Sequence, residues 1–398
     1  MTMQLFSGMQ YLKIDVANNF GLDKENWDTR LDWFNQAEGN LEGIIKDAEE
    51  PALFYASTQA YRKAMRKEPV AYPISLDATA SGIQILSCLT GCEKSARLCN
   101  VVDAGKRMDA YTALYEAMLA MVGEGAKIER KHVKRGVMTA FYQSKAVPKQ
   151  VFGEGLLLQQ FYQTVATEAP GAWELNESMA ALWNPKALSN DWVLPDGFNV
   201  HVKVMDSVKE TIHFLNEPFE VSHKENMPME EGRSLGANTT HSIDGMVVRE
   251  MTRRCNYNPV MIARLKNEIF SRNQSMNRAK DQKLIELWQR GEESGFLSAR
   301  ILGYLDHDNA GHVDPLRIMQ MINTLPKKPF EVLSIHDAFR CLPNYGNDLR
   351  MQYNRILSEI AGSNLLQYMV KQIAGRDIKV VKYGNLSDAI LESNYALS

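Results

Sequence analysis

The sequence predicts a mixed α+β fold that is mostly helical, and three patterns predict it. Apolar residues recur at helical spacing over long stretches, notably Leu53–Met65, 94–122, 154–185 and Leu349–Ile373. Short β-prone apolar runs stand between them, and two of these finish on an aspartate, Asp77 and Asp337. Pro195-Asp196-Gly197 punctuates a strand–turn–strand over Trp192–Met205. The 398 residues give enough chain for a large core and two or three lobes. With 45% hydrophobic and 23% charged residues, the composition is that of an ordinary soluble globular protein.

Several classes are disfavoured at once. The longest apolar runs fall short of a membrane span, and the first residues carry no signal-peptide core, so a cytoplasmic protein without a membrane partner is expected. Five cysteines in such a chain are expected to be reduced. Cys88-x3-Cys92-x6-Cys99 has the wrong spacing for a zinc knuckle and no interleaved His, which leaves small core thiols. A net charge of −3 argues against nucleic acid bound over the whole surface. Local basic clusters remain, and Lys127–Arg135 holds five basic residues against one acid.

In chain order, residues 1–70 read as mostly helical after an extended start, with Asp23-Lys24 in a turn and Pro51 as an interruption. In Val70–Cys88 a β-run ends at Asp77, and the small residues Ala78 to Gly82 lead into an apolar helix. A carboxylate at a strand end beside small residues suits a hard-cation site. Asp77 or Thr79 as a helix cap fits the stretch equally well. Residues 94–122 read as helical, with Asp109 and Tyr111 inside the apolar pattern, and Gly123 and Gly125 then break the chain.

Ile128–Lys145 is the central stretch. Arg130, Lys134, Met138 and Tyr142 step by four along one side of a helix, which puts Lys134 and Tyr142 about 12 Å apart along its axis. Two cations followed by a ring with a polar tip suit a ligand with polyphosphate at one end and a sugar and base at the other. A basic surface helix with Val137, Met138 and Phe141 on the core fits the same pattern. Gly136 inside the helix costs about 1 kcal/mol against Ala, so something should approach closely there. Pro148 ends the stretch.

Beyond it, 154–185 reads as one helix, Thr211–Val221 as a further hairpin, and 222–240 as a loop. His241-Ser242-Ile243-Asp244-Gly245 opens a helix to about Arg254. Lys266–Arg300 reads as a solvated helical insertion. Asp306–Asp314 resembles half a calcium loop, but Ala310 offers no oxygen and Arg317 stands where a bidentate Glu is required. In Pro329–Pro343 the run Val332–Ile335 is a buried strand, His336-Asp337 a turn, and Ala338 onward the return strand. Leu349–Ile373 is one amphipathic helix.

The constellation is more specific than its parts. If Asp77 and Asp337 converge they can hold two Mg²⁺ ions, one activating an attacking hydroxyl and one stabilising a leaving pyrophosphate. Phosphoryl transfer asks little more of a protein than metals, a cationic clamp and in-line positioning. No G-x-x-x-x-G-K loop is present, so this is not a P-loop machine.

D-x-x-x-S-G-I-Q at Asp77–Gln84, R-x-x-x-K-R-x-V-M-T-x-x-Y at Arg130–Tyr142 and I-H-D-x-F at Ile335–Phe339 resemble motifs A, B and C of the single-subunit RNA polymerases of phages and mitochondria. The resemblance extends through Leu12–Asn18, Pro195–Phe198, His241–Gly245 and Gly384–Ser393. It implies a right-hand fold, with the palm in 1–93 and 242–398, the fingers in 94–241, and a helical insertion at about 255–328. It implies that Asp77 and Asp337 bind two Mg²⁺ ions with the Ala78 carbonyl. Arg130, Lys134 and Lys24 would hold the triphosphate. Tyr142 and His241 would recognise the ribose 2′-OH with Tyr111 nearby, and His336 would belong to the substrate site. The hairpin after Phe198 would correspond, in short form, to a promoter-reading loop.

Family members that work alone are much longer. The N-terminal promoter domain and thumb are expected to be absent here and supplied by a smaller partner subunit, as in the two-subunit enzymes of enquatrovirus-type phages. DNA template, nascent RNA, NTPs and a phage DNA-binding activator are the other expected partners, in the cytoplasm of an infected bacterium. Gln143 replaces the Gly that usually follows the motif B tyrosine. A DNA polymerase of the same superfamily is disfavoured because Ser81–Gln84 lacks the Glu that blocks a 2′-OH and Ala338 follows His-Asp. A non-catalytic nucleic-acid-binding subunit is disfavoured because it has no need of paired metal carboxylates.

Overall fold

The computed structural model describes residues 2–123, 127–232, 235–269 and 279–398. Three N-terminal helices, α1 (Gly8–Ala17), α2 (Trp27–Ala37) and α3 (Pro51–Met65), pack around Tyr11, Ile14, Trp27, Phe34, Phe54 and Tyr61, all fully buried. Ser7 opens α1 through a reciprocal capping box with Gln10, and Pro51 sits at the first turn of α3, where its missing N–H costs nothing.

Strand β1 (Ile74–Asp77) leads through a tight bend at Ala80, φ +70°, into α4 (Ser81–Thr90). Neither Asp77 nor Thr79 caps that helix, because the Thr79 hydroxyl donates instead to the Cys99 carbonyl at 2.8 Å. The expected helix over 94–122 is two, α5 (Glu93–Leu98) and α6 (Ala110–Val122), and Asp109 is the N-cap of the second, accepting from the Tyr111 and Thr112 amides. Next come α7 (Arg130–Ala140), α8 (Ala146–Phe152), α9 (Leu156–Glu168) and α10 (Pro170–Ala181). The single helix expected over 154–185 divides at Ala169 because Pro170 cannot continue the hydrogen-bond ladder and instead starts α10.

Strands β2 (Ser189–Val193) and β3 (Asn199–Lys203) flank the expected turn, with Gly197 at φ +73°. β4 (Met205–Phe214) and β5 (Glu217–Asn226) form a ten-rung hairpin, longer than Thr211–Val221. α11 (Leu235–Cys255) begins before His241, so residues 235–240 are helix rather than loop. After α12 (Pro259–Arg264), α13 (Gln282–Ser294) and α14 (Pro315–Thr324) come strands β6 (Leu333–Ile335) and β7 (Ala338–Cys341), then α15 (Gly346–Gly362), α16 (Leu365–Ala374) and α17 (Ser387–Leu391). The helix expected over Leu349–Ile373 thus breaks at Ser363.

The central sheet has the order β1-β7-β6 and is antiparallel throughout. Its outer edge at β1 is covered by the last residues, with Asp77 and Ser398 exchanging backbone hydrogen bonds of 2.9 and 3.2 Å. Helices α4, α11 and α15 lie behind it around Ile83, Met246, Phe339, Tyr353 and Leu357. β6 departs from expectation: it is an edge strand, and Leu333 and Ile335 are exposed rather than buried. The insertion departs too. Ile262, Leu265, Leu284, Leu287, Ile301, Leu302 and Ile318 make a core of their own, separate from the main one, so the segment is not simply solvated.

Gly136 meets its expected close neighbour. A Cβ built there would stand 2.7 Å from the Phe152 ring and 3.1 Å from Phe161, two stacked rings packed beneath α7. Gly136→Ala should therefore destabilise the fold by about 1–3 kcal/mol despite the better helix former, measured by denaturant unfolding; a neutral or stabilising result would contradict this packing.

Candidate active site

Sheet pairing brings the two predicted aspartates together. Asp77 is the last residue of β1 and Asp337 immediately precedes β7; Asp77 pairs with Ala338, and the Ala78 amide donates to the Asp337 carbonyl at 3.2 Å. Residues separated by most of the chain are thus one rung apart. His336, at φ +56°, makes the two-residue β6–β7 turn that presents Asp337.

Electrostatics locate the focus. Crowding by protein and then the Asp337 charge push the Asp77 carboxyl up to about 6, with Asp23 adding to the effect and Arg107 opposing it. Burial and then Asp337 push Asp244, on α11, up to about 6 as well, against the pull of His336. Burial, Tyr142 and Asp337 raise the Tyr111 hydroxyl to about 12. Burial, Asp244 and Asp337 raise Tyr142. Carboxylates held this close repel one another, and a divalent cation between them relieves that repulsion.

The donor set fits magnesium. All side-chain donors are hard oxygens, and Mg²⁺ ordinarily takes one or two carboxylates and completes its shell with water and substrate phosphate. Among the described residues no three His, Cys, Asp or Glu side chains form a closed cage. The Ala78 carbonyl accepts from the Ala80 amide at 3.0 Å and keeps a second lone pair.

The predicted rings Tyr111 and Tyr142 gather at one cavity. Tyr111, Met138, Phe141, Tyr142 and Asp337 line a cavity of about 110 Å³ with Ala80–Ile83. Lys134 Nζ stands 5.6 Å over the Tyr111 ring. Tyr142 lies just past the end of α7, and its ring stacks on His241 at 4.6 Å between centroids and 11° between planes. Gly82 makes room for it, since a Cβ there would be 3.3 Å from the Tyr142 hydroxyl. Burial holds His241 below its usual value. Gln143 adopts φ +61° where a Gly would be unstrained, and its amide compensates: Nε2 donates to the Asn176 carbonyl at 2.7 Å and Oε1 accepts from the Gly236 amide at 3.1 Å. The turn bearing Tyr142 is thereby fixed to α10 and α11.

Two predicted cations are less free. Arg130 ion-pairs with Asp109 and donates from Nε to Thr112 Oγ1 at 2.7 Å. Burial would lift Asp109, but the Arg130 and Thr112 hydrogen bonds outweigh it and hold the carboxyl below its usual value. Lys24 pairs with Asp23 at 3.5 Å, half-exposed on the rim, and Asp23 is the member of that pair whose charge reaches Asp77.

Asp244, Arg107 and Asp109 were not singled out as site residues by sequence reasoning. Asp244 stood inside the His241–Gly245 motif and was legible there. Arg107 carried no signal: its place among Asp23, Asp77 and Asp109 depends on the Asn26 side chain holding its amide at 2.7 Å and on Ser398 Oγ accepting from its Nε at 3.2 Å.

Residues 6–151 match a family model described as DNA-dependent RNA polymerase. A probable DNA-directed RNA polymerase of Neurospora crassa is 32% identical over 160 residues, 34% of this chain and 17% of that protein. The DNA-directed RNA polymerase of Pseudomonas phage phiKMV is 30% identical over 139 residues, 31% of this chain and 17% of that one. DNA-directed RNA polymerase 1, mitochondrial, of Arabidopsis thaliana is 26% identical over 171 residues, 34% and 18% respectively. The chain thus matches less than a fifth of the length of these relatives. The matched segment 6–151 carries Asp77, Arg130, Lys134 and Tyr142, and the chain is similar in sequence to phage and mitochondrial DNA-directed RNA polymerases over about a third of its length.

Proposed function

We propose that this chain is the catalytic subunit of a DNA-directed RNA polymerase, adding NTPs to an RNA 3′ end on a DNA template by two-metal nucleotidyl transfer. The observation that carries the reading is the adjacency of Asp77 and Asp337 beside a cavity lined by Tyr111, Tyr142 and Asp337, with Lys134 over the Tyr111 ring. In this reading 1–93 and 242–398 form a palm and 94–241 the fingers.

Asp77, Asp337 and the Ala78 carbonyl would hold Mg²⁺, which when bound lowers the barrier to 3′-hydroxyl attack and to pyrophosphate departure. Lys134 and Arg130 take the triphosphate, with Arg130 kept in place by Asp109 until then and Lys24 reaching in from the rim. The stacked Tyr142–His241 pair forms a rigid wall for the sugar, with the Tyr142 hydroxyl as its polar contact, and Tyr111 and His336 border the same space. Transcription of phage genes in an infected bacterium, with a smaller partner chain supplying the N-terminal region and thumb and a DNA-binding activator, completes the reading.

The test is primer extension on single-stranded DNA with NTPs or dNTPs, with and without a candidate partner chain. RNA extension by this chain or by the pair is expected, and its absence in both would remove the reading. Tyr142→Phe is expected to admit dNTPs about tenfold more readily, one lost hydrogen bond of about 1.5 kcal/mol. Equal ribose selectivity in variant and parent would take Tyr142 out of that role.

A further inference from the structure

The hairpin β4–β5 stands apart from the rest of the molecule, and none of the twenty residues in its strands is buried. A lone two-stranded hairpin is marginal in water, and exposed apolar side chains gathered on one face usually mark a binding surface. The register divides its residues between two faces. Directly opposed pairs share a face, so Asp206·Glu225, Val208·His223, Glu210·Val221, Ile212·Phe219 and Phe214·Glu217 lie on one side. Ser207·Lys224, Lys209·Ser222, Thr211·Glu220 and His213·Pro218 lie on the other.

The first face gathers Val208, Ile212, Phe214, Phe219 and Val221 with four carboxylates and no Lys or Arg. Phe214 is 65% exposed and Leu215, at the tip, 83%. Both strand lysines are on the second face, where Lys209 reaches Glu220 at 3.4 Å. A surface that follows a nucleic-acid backbone needs cations; this face carries the opposite sign around an apolar strip. The expectation of a promoter-reading role for the hairpin is not what this pattern suits.

We propose that the apolar, acidic face of the β4–β5 hairpin docks a protein partner whose surface presents an apolar strip flanked by lysine and arginine. Carboxylates at the margin of the strip choose a basic partner and speed its approach, while Ile212, Phe214 and Phe219 supply the buried centre. The inference stands apart from the nucleotidyl-transfer reading, since none of these residues lines the candidate active site.

The experiment uses the full chain and a fluorescent peptide of alternating lysine and phenylalanine or valine as the probe, read by anisotropy. A glutamate-for-lysine analogue and a scrambled peptide of the same composition are the controls. The alternating basic peptide should bind about tenfold or more tightly than either control and weaken with salt. Ile212→Ser with Phe219→Ser should abolish the preference. Glu210→Lys with Glu217→Lys, which leaves the apolar strip in place and balances the two remaining carboxylates of the face with two lysines, should remove it as well. Lys209→Ala with Lys224→Ala, on the other face, should change nothing.

Equal binding of the basic peptide by the parent and by the Glu210/Glu217 variant would overturn the proposal. So would loss of duplex or single-stranded DNA binding in the Ile212/Phe219 variant, or self-association of the parent that the same variant abolishes. Primer extension on a primed template, run on the same variants, should match the parent. If the parent itself fails to extend, the nucleotidyl-transfer reading falls while the peptide arms still decide the role of the hairpin.

Discussion

Asp337→Asn should abolish nucleotide addition while leaving the fold intact, and Asp77→Asn should do the same. In the proposed reading Asp77 and Asp337 would hold Mg²⁺, which would supply several kcal/mol of charge stabilisation in the transition state. At about 1.4 kcal/mol per tenfold, losing one holder slows turnover by about a thousandfold or more. The stability of the metal-free protein should move the other way. Asp77 has a folded-state value near 6 against an ordinary 3.8, so ionising it opposes folding. Below 3.8 the group is protonated in both states and the penalty is absent; it grows through the interval from 3.8 to about 6 and is complete above it. Asp77→Asn should therefore be at least as stable as the parent at neutral pH, with its advantage fading as pH falls through that interval. Primer extension and denaturant unfolding across pH report the two effects separately. Turnover at the parental rate would end the metal assignment.

Arg254→Ala should give the largest loss of stability. Arg254 is fully buried on α11, where it donates from Nε to Glu250 at 3.1 Å and from both terminal nitrogens to Glu359 on α15 at 2.9 and 2.6 Å. Glu250 is fully buried as well and also accepts from Arg253 Nη1 and the Ala299 amide, both at 2.9 Å. Arg253 and Arg249 in turn hold the buried Asp196 carboxylate of the β2–β3 turn. Removing Arg254 takes one of two cations from the buried Glu250 and the guanidinium that Glu359 shares with it, a cost of about 3–5 kcal/mol. Arg254→Lys should be nearly as harmful, because an ammonium cannot span both partners. Adding Glu250→Gln to Arg254→Ala should recover part of the loss. Denaturant midpoints for the three variants check this, and a change below about 1 kcal/mol for Arg254→Ala would refute it.

What could be read from sequence follows from the range of the interaction concerned. β1, the β2–β3 turn and the α7 stretch each had local signals: a short apolar run, a Pro-Asp-Gly, cations at four-residue steps. That Asp77 and Asp337 should meet is implied by the motif resemblance, and the backbone adjacency comes from a register of β1 on β7 that no local pattern encodes. Helix breaks at Ala169 and Ser363 were missed because apolar periodicity runs across them, although Pro170 marked the first. β6 looked buried because its residues are apolar, yet an edge strand of three residues has no second layer over it. Arg107 and the Arg130–Asp109 pair were invisible, since each needs a tertiary neighbour to acquire a meaning.

The insertion has a further consequence. Its two ends meet, with the Phe330 amide donating to the Cys255 carbonyl at 2.8 Å, and among the described residues its apolar centre is a cluster apart from the main core, into which its Phe296 packs. A segment entering and leaving the body at one point behaves like a cassette, so a short linker could replace most of it without retracing the path of the main chain. The boundary of a safe excision is set by chemistry: Phe296 must stay because it fills the main core, and Ser298 and Ala299 because Glu250 would otherwise lose two of the donors that keep its charge tolerable in the interior.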